Sequence, residues 1–585
     1  MSPIKLTRNA SALLTRFFRE RETGLYLIAA VIGIVGGVVV SAMSWVSQQA
    51  HILIFNAESQ GRLSSTILND RPYLLIFPAI GGILIGISLY LLARKGGRHI
   101  VDPVEANALY GGRLSVKDSG ILAIQNLISN GFGASVGLEA GFTQLSSSVA
   151  SSIGCKLHLR REDLRTLVGC GSAAAIAAAF GAPLAGAFYA FETIIGSYSA
   201  SSLTPVVISA ITGSAVSRSL GTGQFSIDLG AIGPIAALEF LPVIILGAIC
   251  AVVAIGLMRS VATIEVVFKK LVPTVALRPF LGGCLIGIAA LVSPQVLAGG
   301  HGALHLDLVN DLTMKTLLLL LALKALASVV SIGSGFRGGL FFGSLFMGVL
   351  LGKIFAQIPL FLLPTSLSQS VFAAVGMSSL AVAIVGGPLT MTFLVLETTG
   401  NFAITSLVLA SAITASAVTR RYFGFSFSTW RLHMRGENIR GAHDVGWIRD
   451  LTVAKLMRKD VQTTDSDISL ERLLAEFPLG STQRVVCKDK NGAYAGILFL
   501  PELYSMVSAG QVVDLHQAMK LQSNYVLPEM NIKDAARKFE EAKSEVLAVV
   551  NNARQQKIVG LLSESHVLRR YSEELDKRRS EVLGV

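Results

Sequence analysis

The run GFGASVGLEAGF, Gly131 to Phe142, holds one acid, Glu139, among glycines and apolar side chains. An ionisable group at the bilayer centre costs at least about 3 kcal/mol, so Glu139 is a candidate for an ion or proton path by default. A related run, GSGFRGGLFFG, lies at Gly333 to Gly343. Without a gap, Gly131, Gly133, Gly137, Leu138 and Gly141 match Gly333, Gly335, Gly339, Leu340 and Gly343, each 202 residues on. Phe341 stands where Glu139 stands. A second pair repeats in the same order. GSAAAIAAAFGAPLAGAFYAFET (171–193) matches GMSSLAVAIVGGPLTMTFLVLET (376–398) at Gly171/Gly376, Gly181/Gly386, Pro183/Pro388, Leu184/Leu389, Glu192/Glu397 and Thr193/Thr398, an offset of 205.

Two motifs recurring at nearly one offset mark a duplicated unit. One reading of the glycines is close helix packing. The other is that each Gly-interrupted segment is a broken helix. Its N-terminus then ends at mid-membrane, and free backbone N–H groups with the positive dipole end hold an anion there. Matching letters leave open whether the copies run parallel or inverted.

The elements that would carry these motifs are transmembrane helices. The 585 residues are 52% hydrophobic and 15% charged, with a mean hydropathy of +0.60; soluble domains carry about 25% charged residues. Low-charge runs recur at 24–43, 72–93, 240–258, 279–299, 316–335 and 406–419. Several reach the ~20 residues that span a bilayer core. A polytopic all-α membrane protein follows. The N-terminal residues are basic and polar and then span, which argues against a cleavable leader. Lys5, Arg8, Arg16, Arg19 and Arg21 precede the first span, and Arg94, Lys95 and Arg98 follow the second. The positive-inside rule makes both flanks cytoplasmic. The net charge of +12 then reads as topology and headgroup contact rather than nucleic-acid binding. The five cysteines show neither metal-ligand spacing nor a disulfide framework.

Hydropathy falls after about residue 420. The expected organisation is a cytoplasmic segment 1–23, a membrane domain 24–430 with repeats at about 70–225 and 240–430, a linker 431–450 and a cytosolic domain 451–585. In the last, KDKNGAYAGI signals a hairpin and IKDAARKFEEAK an amphipathic helix.

The paired segments GSAAAIAAAFGAPLAGAFYAFE and GGPLTMTFLVLETTGNF resemble those of the CLC family of chloride channels and chloride/proton exchangers. The resemblance runs from about residue 25 to the C-terminus. It implies an inverted repeat with broken helices, a homodimer and one anion pathway per subunit. In GLEAG, Gly137 to Gly141, Glu139 falls on the family's gating acid, while Leu138, Ala140 and Gly141 depart from its Gly-Arg-Glu-Gly-Pro pattern. A carboxylate at a helix N-terminus mimics the anion that binds there, and protonation ends the competition. Glu139 could otherwise serve only as a buried helix cap. GLFFG, Gly339 to Gly343, is similar to the family's Gly-x-Phe-x-Pro, with Phe341 on its Phe and Gly343 for its Pro. Gly137, Leu138, Leu340 and Phe341 are thereby implied to line the anion site, Leu340 and Phe341 through backbone amides.

Two side-chain ligands of the family change. Its anion-binding Ser falls on Ile100 if Pro103 is the anchor, or on Arg98 if the spacing to Glu139 is held. Its pore Tyr falls on Ser428, beside Phe427. The inner proton-relay acid of many exchangers falls on Thr193, next to Glu192. The recurrence of Glu192 as Glu397 favours a structural role for both. Lys324, in LLLLLALKALA, either raises the potential along the path or is a structural lysine.

The C-terminal region resembles a pair of CBS motifs about 64 residues apart: DISL (467–470) with NIKD (531–534), and AGIL (495–498) with VGLL (559–562). Some such modules bind an adenine nucleotide. Glu502 falls on the ribose-binding acid of the first copy and His566 on that of the second. The alternative is a dimer-stabilising module without a ligand.

The leading function is chloride or other small-anion transport through a homodimer gated by Glu139. It leans to passive conduction because Thr193, Ile100 and Ser428 remove family groups. Proton-coupled chloride exchange is the alternative. The expected location is the plasma (inner) membrane with both termini cytoplasmic. No resident cofactor is expected. A CBS-regulated cation transporter would need several converging intramembrane carboxylates. An enzyme would need a nucleophile and base or a metal cluster, and His99, His301 and His305 lack acids at helical spacing.

Overall fold

The computed structural model describes residues 22–57, 63–65, 73, 76–94, 99–222, 227, 235–358, 367–435, 452–570 and 573. The basic N-terminal cluster, Lys95, Arg98 and most of the 431–450 segment lie outside them. The chain divides into two compact units, Met1–Asp444 and Val445–Val585.

The first unit is helical. Its first half holds α1 (Glu22–Phe55), α2 (Phe77–Arg94), α3 (Pro103–Leu109), α4 (Val116–Gly131), α5 (Glu139–Lys156), α6 (Arg161–Phe180), α7 (Pro183–Tyr189, continued by a π turn over Ala190–Ile195) and α8 (Ala200–Ser219). The second half repeats the order with α9 (Phe240–Leu271), α10 (Leu277–Val292), α11 (His301–Val309), α12 (Met314–Ser334), α13 (Phe341–Gln357), α14 (Gln369–Val385), α15 (Pro388–Thr399) and α16 (Phe402–Tyr422). One more helix, α17 (Phe427–Met434), follows. Seven helices among the described residues are long and apolar enough to cross a bilayer, and four shorter apolar ones accompany them.

The repeat shows in packing as well as order. α1 packs on α6 and α8, as α9 packs on α14 and α16, and α5 packs on α6 as α13 does on α14. The pairing therefore extends to α1, further toward the N-terminus than the expected start near residue 70. Hydropathy shows the α1 span, but the letters of α1 and α9 do not align. Small residues let these helices approach closely. A Cβ on Gly376 would stand 2.4 Å from the Gly348 carbonyl oxygen, and one on Gly171 2.7 Å from that of Ser146. Ala173, Ala174, Ala175, Ala177 and Ala178 of α6 are fully buried for the same reason.

The halves are inverted, and they meet at their broken helices. α4 ends in a turn through Gly133 (φ +86°) and α12 in one through Gly335 (φ +111°), a backbone region that favours glycine. Past these turns Gly137 N–H donates to the Gly339 carbonyl at 3.0 Å, and the two residues form an antiparallel bridge. The Pro-Leu helices are locked crosswise. The Glu192 carboxylate accepts from the N–H groups of Leu389 (3.0 Å) and Thr390 (2.9 Å) and from the Thr390 hydroxyl (2.7 Å). Glu397 accepts from the N–H groups of Leu184 and Ala185, both at 2.9 Å. Each acid caps the first turn of the other half's helix, where orphan donors and the dipole favour a carboxylate.

The second unit holds two copies of one small sheet. β1 (Thr463–Asp465) pairs parallel with β2 (Arg484–Lys488), which pairs antiparallel with β3 (Tyr494–Phe499). β4 (Tyr525–Val526), β5 (Val546–Val550) and β6 (Ile558–Ser563) repeat this pattern. α18 (Leu470–Glu476) joins β1 to β2, and α19 (Leu500–Ser508) follows β3. α20 (Ile532–Ala542) joins β4 to β5. The hairpin signal lies between β2 and β3, and the amphipathic signal is α20. Every side chain of β5 is buried, which accounts for its unbroken apolar run.

Candidate functional site

α5 and α13 point their N-termini at the bridge between the halves. Leu138 is the N-cap of α5 and Leu340 of α13, and neither supplies a side-chain cap. An apolar residue at an N-cap leaves the first N–H groups without the usual Ser, Thr, Asn or Asp oxygen. The two helices, of 18 and 17 residues, are long enough to carry a full dipole end. Asn126 holds the α5 end in place. Its amide nitrogen donates to the carbonyls of Gly137 and Arg337, both at 3.0 Å, and its oxygen accepts from Gly141 N–H at 3.0 Å. The Ser129 hydroxyl accepts from Arg337 N–H at 3.0 Å.

Glu139 opens α5 and is buried. Its carboxylate folds back over the Gly137 backbone: a Cβ at Gly137 would stand 2.0 Å from Oε2. Among the described residues Oε2 has no hydrogen-bond partner. Oε1 lies 3.8 Å from Nε2 of His301, the first residue of α11. Thr143, one turn along α5, donates to the Glu139 carbonyl at 2.9 Å. Phe341 opens α13 at the position equivalent to Glu139, and its ring lies 5.3 Å from that of Phe180 and 6.1 Å from that of Tyr189.

A cavity of about 360 Å3 opens on the α17 side, lined by Tyr189, Glu192, Thr193, Arg420, Ser426 and Ser428 among others. It brings Thr193, Glu192 and Ser428 together. Thr193 donates to the Tyr189 carbonyl at 2.6 Å, and Glu192 is engaged with α15 as described. The Tyr189 phenol sits close to the side chains of Thr143 and Thr193 and feels the Glu139 charge. A phenol therefore lines the cavity within electrostatic reach of the carboxylate, on α7 rather than on the α17 segment where the resemblance places the family's Tyr. Ile100 is half-buried on the segment entering α3, which Gln144 of α5 holds by donating to the Val101 carbonyl at 2.9 Å. Its alternative, Arg98, lies outside the described residues.

Lys324 is fully buried. Its Nζ donates to the carbonyls of Val296 and Ala298, at 3.0 and 2.8 Å, in the turn that leads to His301. In the second unit a cleft of about 490 Å3 gathers Glu502 with Arg484, Lys520 and Lys543. Glu502 is paired with Lys520 Nζ at 2.5 Å. His566 is outside the residues lining that cleft and faces Arg569 at 3.5 Å.

Inverted halves of broken helices, converging on one buried carboxylate between two helix N-termini whose N-cap residues offer no side-chain oxygen, define an integral membrane protein built to pass small ions. Comparison with known proteins specifies which. Residues 81–420 match the voltage gated chloride channel family and residues 514–573 the CBS domain. The chain belongs to this CLC family of anion transporters. It is 27% identical over 405 residues to proteins named voltage-gated ClC-type chloride channel ClcB from Citrobacter koseri and from Salmonella typhimurium; in each case 67% of this chain and 95% of the relative are covered. Among solved structures it shares its fold with a slow cyanobacterial Cl-/H+ antiporter (TM-score 0.60, 24% identity, 70% of this chain and 97% of that one). It also shares it with a eukaryotic CLC transporter (TM-score 0.57, 16% identity, 93% and 97%).

Proposed function

We propose that the chain exchanges chloride for protons across the plasma membrane, through one pathway in each subunit of a homodimer, with Glu139 as the gate. The observation that carries this reading is the position of its carboxylate: over Gly137, at the paired N-termini of α5 and α13, where a bound anion would sit. Ionised, it competes with chloride for the same backbone donors. Protonated, it loses its attraction to them and yields the place. A group that must take up a proton to let an anion pass couples the two fluxes in principle. The antiporter named among the fold neighbours supports the coupled form.

The most basic cluster of helix ends supports one sidedness. Arg94 closes α2, Lys269 and Lys270 close α9, Arg278 lies in the first turn of α10, and Arg420 and Arg421 close α16. By the positive-inside rule this end faces the cytoplasm. The cavity carrying Arg420 is then the inner vestibule, and the turn before α11, beyond the far end of α10, faces outward.

Passive conduction is the second reading, and Thr193 favours it, since it cannot carry a proton at the inner relay position. The nucleotide expectation for the second unit rests on Glu502 alone, so the preferred reading gives that unit no resident cofactor. The deciding measurement is the reversal potential of the purified protein in planar bilayers under imposed chloride and proton gradients. Exchange moves the reversal potential with the proton gradient; a value pinned at the chloride equilibrium under every pH gradient rejects it in favour of the passive form.

A further inference from the structure

α11 stands in the second half where α3 stands in the first, so its N-terminus approaches the pathway from the opposite face. Its first residue, His301, follows Gly300 at φ +95° and turns its ring onto Phe342 and toward Glu139. The His301 side chain is 30% exposed and that of Glu139 4%, so His301 is the more open member of the pair, and on the sidedness proposed above it faces outward. Nε2 lies 3.8 Å from Oε1, close enough for charge coupling, while Oε2 of the same carboxylate has no hydrogen-bond partner among the described residues. Other titratable groups face this pair. The Tyr189 phenol of α7 lies within electrostatic reach of Glu139, and Lys324 of α12 lies against Gly300, the residue before His301, with its ammonium held by two carbonyls. His305 lies one turn along α11, and His51 of α1 is engaged with the Asn130 carbonyl at 2.9 Å.

Resting on the gating role of Glu139, we propose that His301 is the outward-facing positioning partner of the gate: as imidazolium it holds the Glu139 carboxylate in the anion's place, and it thereby sets the external pH at which transport switches on. The sign follows from charge. A cation beside the acid stabilises the carboxylate, so the gate takes up its proton only at lower pH than it would alone. Removing the imidazole charge makes protonation easier and moves activation to higher pH. At about 4 Å, even with the full screening of bulk water, the coupling is large enough to move the midpoint by about one pH unit.

The test is chloride efflux from proteoliposomes holding the full-length protein, with the opposite-side pH varied between about 5 and 8, the range in which an imidazole titrates. His301→Gln is expected to move the activation midpoint about one unit toward alkaline pH. His301→Lys, which keeps a cation, is expected to hold the midpoint at or below the wild-type value. A merely structural histidine would shift both variants the same way. On a Glu139→Gln background, His301→Gln is expected to change nothing further. His301→Asn replaces His301→Gln if the latter fails to assemble. If Glu139→Gln removes the pH dependence while His301→Gln and His301→Lys leave the midpoint unmoved or move it together, the role of His301 is overturned and the gate stands. If Glu139→Gln keeps the wild-type pH profile, the gate itself fails, and this proposal with it.

Discussion

Glu139 is buried with one carboxylate oxygen unpartnered, its other oxygen 3.8 Å from an imidazole, and its backbone at the start of a helix without a side-chain cap. An unsatisfied buried polar atom costs about 1–3 kcal/mol, so it persists where the group must be free to move or change charge. Glu139→Gln mimics the protonated acid. It is expected to raise chloride flux at neutral pH to the wild-type low-pH level and to flatten the pH profile; a variant that keeps its pH dependence contradicts the gate. Lys324 acts through hydrogen bonds, since it ties two carbonyls of the 296–298 turn. Lys324→Met leaves both without their charged donor and is expected to cost about 1–3 kcal/mol of stability. A lower thermal midpoint in detergent would show this, and an unchanged one would point to a purely electrostatic role.

At the scale of elements, the crossed caps hold the two halves in register. Glu192 binds the first turn of α15 and Glu397 that of α7. Their symmetry predicts symmetric losses. Glu192→Ala and Glu397→Ala are each expected to destabilise the membrane unit by about 1.5–3 kcal/mol, the range for hydrogen bonds to a charged group. Thermal melts would read this, with the pH midpoint of transport left in place. A moved midpoint after Glu192→Ala alone would instead give that acid a part in proton transfer. The recurrence of Glu192 as Glu397 was legible in the sequence and pointed to a common role. That each acid serves the opposite half was not, because the two ends of each hydrogen bond lie about 200 residues apart. The glycines divide in a similar way. Gly133 and Gly335 permit the turns before the site, whereas Gly171 and Gly376 permit helix contact, so the two readings of the Gly motifs apply to different positions.

For the whole molecule, the second unit has its own buried cores, one of which includes Leu473, Val485, Cys487, Leu498 and Leu503. Residues 445–585 are therefore expected to fold when expressed alone and to unfold cooperatively. Cys487 reports on this. Burial pushes its thiol up to about 12, so almost no thiolate exists near neutral pH. A maleimide should label Cys487 only as denaturant unfolds the unit, along the same transition as circular dichroism. Rapid labelling in native buffer would show that the core is open.

By itself the sequence determined the membrane class, the duplicated plan, the separate C-terminal unit and the candidacy of Glu139. Each of these rests on local properties: hydropathy over a span, spacing within a motif, one charge in an apolar run. Tertiary structure decided the rest. It brought Gly137 to Gly339, placed Tyr189 on the wall of the cavity within reach of the acid's charge, and set His301 beside Glu139. On a linear reading the histidines had no acids at helical spacing, yet His301 meets Glu139 at 3.8 Å and His99 meets Glu105 at 2.9 Å. Periodicity records which face of a helix is buried. Which distant side chain lies opposite that face is settled only when the two inverted halves pack together, with small residues admitting the close approach.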